Sequence, residues 1–173
     1  MITIESIKFS PNHIGWWYLG MVAAGRADKV FYASQHDLQY ALTWAKQCNH
    51  FWGAFSGDKL IGVGFVENEQ FFKSDLGELY RAELGFGFMP NCTVFEALEA
   101  GRKMLDASFD KGYTDLFGTT PEHNLPALAY AKRLGLKLYG PVPNFCHYLG
   151  LKSGVYTSHI SREEWNKLKD KQR

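Results

Sequence analysis

Glu83 stands in surroundings that point to chemistry. It lies in an alternating run, Leu79 to Phe88, in which Leu79, Arg81, Glu83, Gly85 and Gly87 share one face. Tyr80, Ala82, Leu84, Phe86 and Phe88 share the other. A carboxylate beside an arginine and two glycines has two readings. It is an ion-pair partner of Arg81 or a partly exposed strand residue, or it faces an open cleft beside Gly85. Asn124 precedes an apolar helical pattern, where its amide can cap the helix. His123 beside it is expected in a surface loop. Cys92 precedes another helix, whose dipole lowers a thiol pKa, but no partner base is evident, so a buried thiol is expected. The six histidines include no pair at i, i+4 with a Glu between, and the three cysteines match no zinc spacing. No metal site is expected. No Ser-His-Asp or G-x-S-x-G arrangement is visible.

Elements must hold these residues in place. Met1 to Phe9 alternates as a strand, Ile14 to Ala24 and Asp37 to Gln47 read as helices, and Phe51–Phe55 with Leu60–Val66 form a hairpin across Ser56-Gly57-Asp58-Lys59. Asn68 to Gly77 is polar and irregular, which predicts a loop. After the Glu83 strand, stopped by Pro90, apolar residues from Val94 to Phe109 recur at three and four. Thr93 with Glu96 makes a capping box, and Gly112 closes the helix. Thr114–Thr119 is a strand, Leu125–Leu134 a helix and Leu136–Tyr139 a strand interrupted by Gly140-Pro141-Val142-Pro143. Phe145–Leu151 and Val155–Ile160 are extended, and a last helical turn carries Trp165. The order predicts one α/β domain over residues 1–166, with a charged tail fraying from Lys167. Its sheet is single, mixed and mostly antiparallel, has a central parallel strand pair, and carries helices on both faces.

Composition narrows the function classes. The chain has 173 residues, 46 % hydrophobic and 21 % charged, the balance of a globular protein. A formal net charge of +1 leaves no electrostatic footprint for nucleic acid. No run approaches the ~20 apolar residues of a membrane span, and no leader pattern precedes the first strand. Three scattered cysteines favour a reducing, cytoplasmic setting. Trp16, Trp17, Phe71 and Phe72 read as buried anchors or as an apolar contact patch.

Four segments carry a family resemblance, over roughly residues 50 to 166. Ala82-Glu83-Leu84-Gly85-Phe86-Gly87-Phe88-Met89-Pro90 resembles the AEIGY-x-hydrophobic-x-P strand of ribosomal-protein and related N-acetyltransferases of the GNAT superfamily. Leu98 to Gly112 resembles the helix that follows it. Asn124 to Leu136 is similar to N-x-x-[AS]-x-x-x-x-x-x-L-G-F, and Val155-Tyr156 with Ile160 to Trp165 resembles Y-x-I-x-R-E-E-W.

The resemblance implies transfer of an acetyl group from acetyl-CoA to an amine, on a small molecule or a protein, within a sheet splayed by the coenzyme. It assigns Glu83 the position near the substrate amine. Phe88, Met89, Asn91, Thr93 and Val94 fall where the strand end and helix start meet the coenzyme, and Asn124 and Ala127 where the next helix does. The tyrosine acid of many relatives would stand at Ala131. Tyr130 is the near candidate, turned about 100° around the helix. One departure is plain. The usual [RQ]-x-x-G-x-[GA] phosphate loop is replaced by Asn91-Cys92-Thr93-Val94-Phe95-Glu96, several residues shorter and without glycine. The helix N-terminus remains for an anion. The departure also supports a second reading: a GNAT fold without catalysis, used for binding or assembly, in the manner of small phage-encoded GNAT-like proteins and with a virion partner.

Overall fold

The computed structural model describes residues 1–31, 36–75 and 77–171. In chain order the elements are β1 (Ile2–Ser6), α1 (Pro11–Ala23), α2 (Ala27–Val30), α3 (Leu38–Gln47), β2 (His50–Ser56), β3 (Lys59–Ser74) and β4 (Gly77–Phe88). They continue as α4 (Val94–Asp110), β5 (Asp115–Pro121), α5 (Leu125–Leu134), β6 (Lys137–Tyr148), β7 (Leu151–Ser161) and α6 (Arg162–Asp170). One seven-stranded sheet runs β1-β2-β3-β4-β5-β7-β6. All neighbours are antiparallel except β4 and β5, which are joined through α4 and lie parallel.

Alternation along the strands feeds two cores, one on each face. Trp52, Ala54, Ile61, Ala82 and Leu84 pack against Met104 and Leu105 of α4 and Leu134 of α5. Phe51, Phe55, Leu60 and Val63 pack against Ile14, Trp17 and Met21 of α1 and Ala41 and Ala45 of α3. Trp17 is fully buried, and its indole N–H donates to the carbonyl of Gly87 at 3.0 Å. Trp16, Phe71 and Phe72 remain exposed, so only Trp17 of the four weighed aromatics is a core anchor.

Three expectations are corrected. The segment read as a loop from Asn68 to Gly77 is mostly strand: β3 and β4 pair out to Ser74↔Gly77. Cross-strand contacts hold this extension, with Lys73 bridging Glu78 at 2.9 Å and the Arg81 Nε–H donating to Gln70 at 2.7 Å. The break expected at Gly140 to Pro143 is absorbed into β6, whose register shifts there and whose Gly140–Pro141 peptide is cis. β6 is the sheet edge, where a missing proline N–H leaves no ladder bond unmade. The charged segment from Lys167 is helical through Asp170. Lys169 reaches Asp106 of α4 at 2.7 Å, and Lys167 pairs with Glu163 one turn back. Residues 172–173 of the expected tail lie outside the described residues.

Candidate active site

The parallel pair β4–β5 is short. Only Arg81↔Asp115, Ala82↔Leu116 and Glu83↔Phe117 are in register. Beyond them β4 runs on to Phe88 beside β3 while β5 continues beside β7 through Gly118↔Ser158 to Pro121↔Val155, so the two strands part. A cavity of about 660 Å³ occupies the opening. It is reached from both faces of the sheet, because Glu83 and Gly85 line it together with Phe86 and Phe88 of the opposite face.

Glu83 sits where pairing ends. Its carboxylate accepts from the Asn68 amide at 2.9 Å and from the Thr119 hydroxyl at 2.7 Å. Arg81 turns away to Gln70 and lies over the Phe72 and Phe117 rings, so Glu83 accepts from Asn68 and Thr119 while Arg81 is engaged elsewhere. Directly across on β3 is Glu67, which the sequence reading passed over. Its carboxylate accepts from the Trp44 indole N–H at 3.1 Å. Burial pushes the Glu67 carboxyl up and the charge of Glu83 adds to this, while the Trp44 bond pulls it back. A bulge makes the arrangement possible. The β3–β4 register shifts between Glu67 and Gln70, and Asn68 adopts a left-handed φ of 54°. Glu67 and its neighbour Asn68 thereby both face Glu83, while Glu69 bonds the Tyr113 hydroxyl instead.

Tyr130 lines the cavity from α5. Its hydroxyl donates to the Ala97 carbonyl of α4 at 2.8 Å, and its ring packs edge-on against Phe86 and Phe88. Burial holds its pKa well above the ordinary phenol value, so it keeps its proton at neutral pH and is a weaker acid than an ordinary phenol. The close approach of α4 depends on Gly101, where a Cβ would fall 2.0 Å from that hydroxyl.

Phe88, Thr93, Val94, Asn124 and Ala127 also line the cavity. Met89 and Asn91 do not. Met89 is buried against Gly20 of α1 with its N–H bonded to Ile61, and Asn91 is exposed. Asn124 is the N-cap of α5 but makes no side-chain cap bond, leaving its amide at the cavity wall. Thr93 forms the expected capping box, which brings the Glu96 carboxylate to the start of α4. Hydrogen bonds from the Thr93 N–H and hydroxyl, and from Ser56, keep the Glu96 carboxyl below its usual range. Cys92 lines the cavity as a thiol that burial and Glu96 push up to about 11, the opposite direction from a dipole-activated nucleophile. His123 bonds Ser153 at 2.9 Å and does not line the cavity. Among the described residues, no group of three or more His, Cys, Asp or Glu is arranged to hold a metal, and no helix is long and apolar enough to cross a membrane.

No family model matches this sequence, and no curated protein matches it either. Solved structures do. A putative acetyltransferase of Salmonella typhimurium, holding acetyl-CoA, superposes with a TM-score of 0.71 at 13 % identity over 92 % of this chain and 93 % of its own. A ribosomal-protein alanine acetyltransferase of Vibrio fischeri gives 0.73 at 10 % identity over 95 % and 94 %. The fold is that of the GNAT acetyltransferases. A spermidine N-acetyltransferase of Vibrio cholerae, with CoA and spermine, gives 0.70 at 13 % identity over 95 % and 98 %. The expected GNAT architecture, with its single mixed sheet and central parallel pair, is therefore present. These three are bacterial acetyltransferases and lend the virion reading no support.

The residues missed from sequence are Glu67, Asn68 and Trp44. Glu67 ends the alternating run of β3, but its place opposite Glu83 depends on the bulge at Asn68, for which a polar stretch gives no local signal.

Proposed function

We propose that the protein is an N-acyltransferase that moves an acetyl group from acetyl-CoA to a primary amine in the β4–β5 opening. The observation that carries this reading is the convergence there. Seven of the nine residues expected at the site, Glu83 and Tyr130 among them, line one cavity with a second carboxylate, Glu67.

The residues fit a thioester donor in one respect and strain against it in another. From Leu84 to Phe88 the β5-facing edge of β4 has no strand partner among the described residues, so its peptide groups can pair with an extended amide chain such as pantetheine. At the start of α4, the first-turn N–H groups favour an anion, but the Glu96 carboxylate already stands there. The five residues Met89 to Thr93 leave little backbone to wrap a pyrophosphate. Coenzyme binding is accordingly expected to rest on the strand edge more than on the helix.

The donor supplies the activated acetyl carbon, and the chain supplies the proton handling. An amine arrives protonated, and the paired carboxylates attract it. Glu67, raised by burial and by Glu83, is suited to take the proton, while Glu83 stays fixed by Asn68 and Thr119. The neutral nitrogen then forms the C–N bond as the C–S bond breaks. The nitrogen sheds one proton as it becomes an amide, and the departing thiolate takes one up through solvent; Tyr130, its proton bonded to the Ala97 carbonyl and its pKa raised by burial, is a poor source for it.

Incubation with acetyl-CoA and a panel of primary amines, read by mass spectrometry, tests the proposal. The expected result is an acetylated amine with the native chain and a loss of product with Glu83→Gln. Absence of product from every amine, with the protein folded, would sink it and favour the silent binding module, the reading that the Glu96 cap supports.

A further inference from the structure

The acceptor side of the cavity has a charge order that selects among amines. Its wall is continuous from α2 to the carboxylates: Phe31 packs on Trp44 at 5.1 Å, Trp44 on Phe65 at 4.6 Å, and Trp44 bonds Glu67. Phe31, Trp44, Phe65, Glu67 and Glu83 all line the same space. At the other end of that wall α2 presents Arg26 and Lys29, both exposed and both lining the cavity. The intervening acid of α2, Asp28, is engaged by His36 at 3.0 Å and does not line it. Among the described residues, the charges lining the cavity are thus Glu67 and Glu83 on the floor, Arg26 and Lys29 across the aromatic wall, and Arg133 on α5.

We infer that the acceptor is a primary amine on an apolar, ring-sized body whose far end is anionic. This rests on the acyltransferase reading for its turnover, but not for its binding. Two carboxylates favour an ammonium group, and a wall of aromatic edges and faces favours an apolar body. Two cations at the rim repel a second positive charge and attract a negative one. An extended polyamine meets these cations with its distal ammonium and is disfavoured.

Isothermal titration of the full chain separates the cases without any donor present. The ligands are benzylamine, 4-(aminomethyl)benzoate, 1,4-bis(aminomethyl)benzene and spermidine. The benzoate is expected to bind tightest, by about three- to tenfold over benzylamine, with both polycations weaker than benzylamine and the spread shrinking in 0.5 M salt. The double variant Arg26→Glu, Lys29→Glu, checked for folding by circular dichroism, is expected to invert the order. Tighter binding of either polycation by the native chain, an order unchanged by charge reversal, or no binding of any of the four would overturn the inference. Acetyl-CoA is then added. Binding in the expected order with no transfer contradicts the enzymatic reading alone, and transfer with a preferred polycation contradicts this inference alone.

Discussion

Two glutamates face one another across β3 and β4, and their surroundings divide their roles. Glu83 accepts two hydrogen bonds, from the Asn68 amide and the Thr119 hydroxyl, which fix its carboxylate in place. Glu67 is half-buried beside that charge, and its carboxyl is raised. Glu67→Gln removes the proposed base and is expected to lower kcat/KM by about 10²–10⁴, and Glu83→Gln, which removes the neighbouring charge that draws in the ammonium, is expected to lower product formation while leaving thermal unfolding little changed. Trp44→Phe removes the indole donor that favours the Glu67 carboxylate, so the acid limb of the pH–rate profile is expected to move to higher pH. An unmoved limb would exclude Glu67 as the base. Stability gives a second check. A folded-state pKa above the unfolded value means that Glu67 contributes stability below its unfolded pKa, and that this is lost as pH rises through the folded pKa. Glu67→Gln should therefore unfold at a higher temperature than the native chain at pH 8, with the gain shrinking toward pH 4. A loss at pH 8 would reverse the assignment.

At the scale of elements, α4 and α5 set the width of the site. Their contact passes through Gly101, where the Tyr130 hydroxyl and the Leu134 side chain close in. Gly101→Ala forces Tyr130 off the Ala97 carbonyl and against Phe86 and Phe88, and is expected to destabilise the fold by about 1–3 kcal/mol in denaturant unfolding. Thr93→Ala opens the capping box at the start of α4 at a cost of about 1 kcal/mol. It also releases Glu96 from the helix end, so acetyl-CoA affinity should shift while the strand-edge contacts stay intact. Helices were legible because their evidence is local: the period from Val94 to Phe109, the Thr93–Glu96 box, and Gly135 in the left-handed region after α5. The β3–β4 extension was not, because its residues are polar and their partners lie across the hairpin. The bulge hides Glu67 further. Extending the pairing of Gln70 with Arg81 without a shift would set Glu67 opposite Leu84, whereas the shift sets it opposite Glu83.

For the molecule as a whole, the sheet order and the parting of β4 from β5 make the fold that of acetyltransferases. Motif resemblance on Glu83, Asn124 and the C-terminal strand indicated that fold in advance. It did not reveal the proposed acceptor wall, because Arg26, Phe31, Trp44 and Glu67 come from three elements with no shared motif and meet only when α1 to α3 fold over β3. The opening is also the common ground of the functional claims, since donor, acceptor and both carboxylates must share it. Ala127 lines it from α5, so Ala127→Trp is expected to fill the proposed donor side of the opening. Calorimetric titration with acetyl-CoA tests the central claim most directly. Saturable one-to-one binding to the native chain, abolished in Ala127→Trp, is the predicted result. No binding to the native chain at millimolar acetyl-CoA, or equal binding to both proteins, would contradict it.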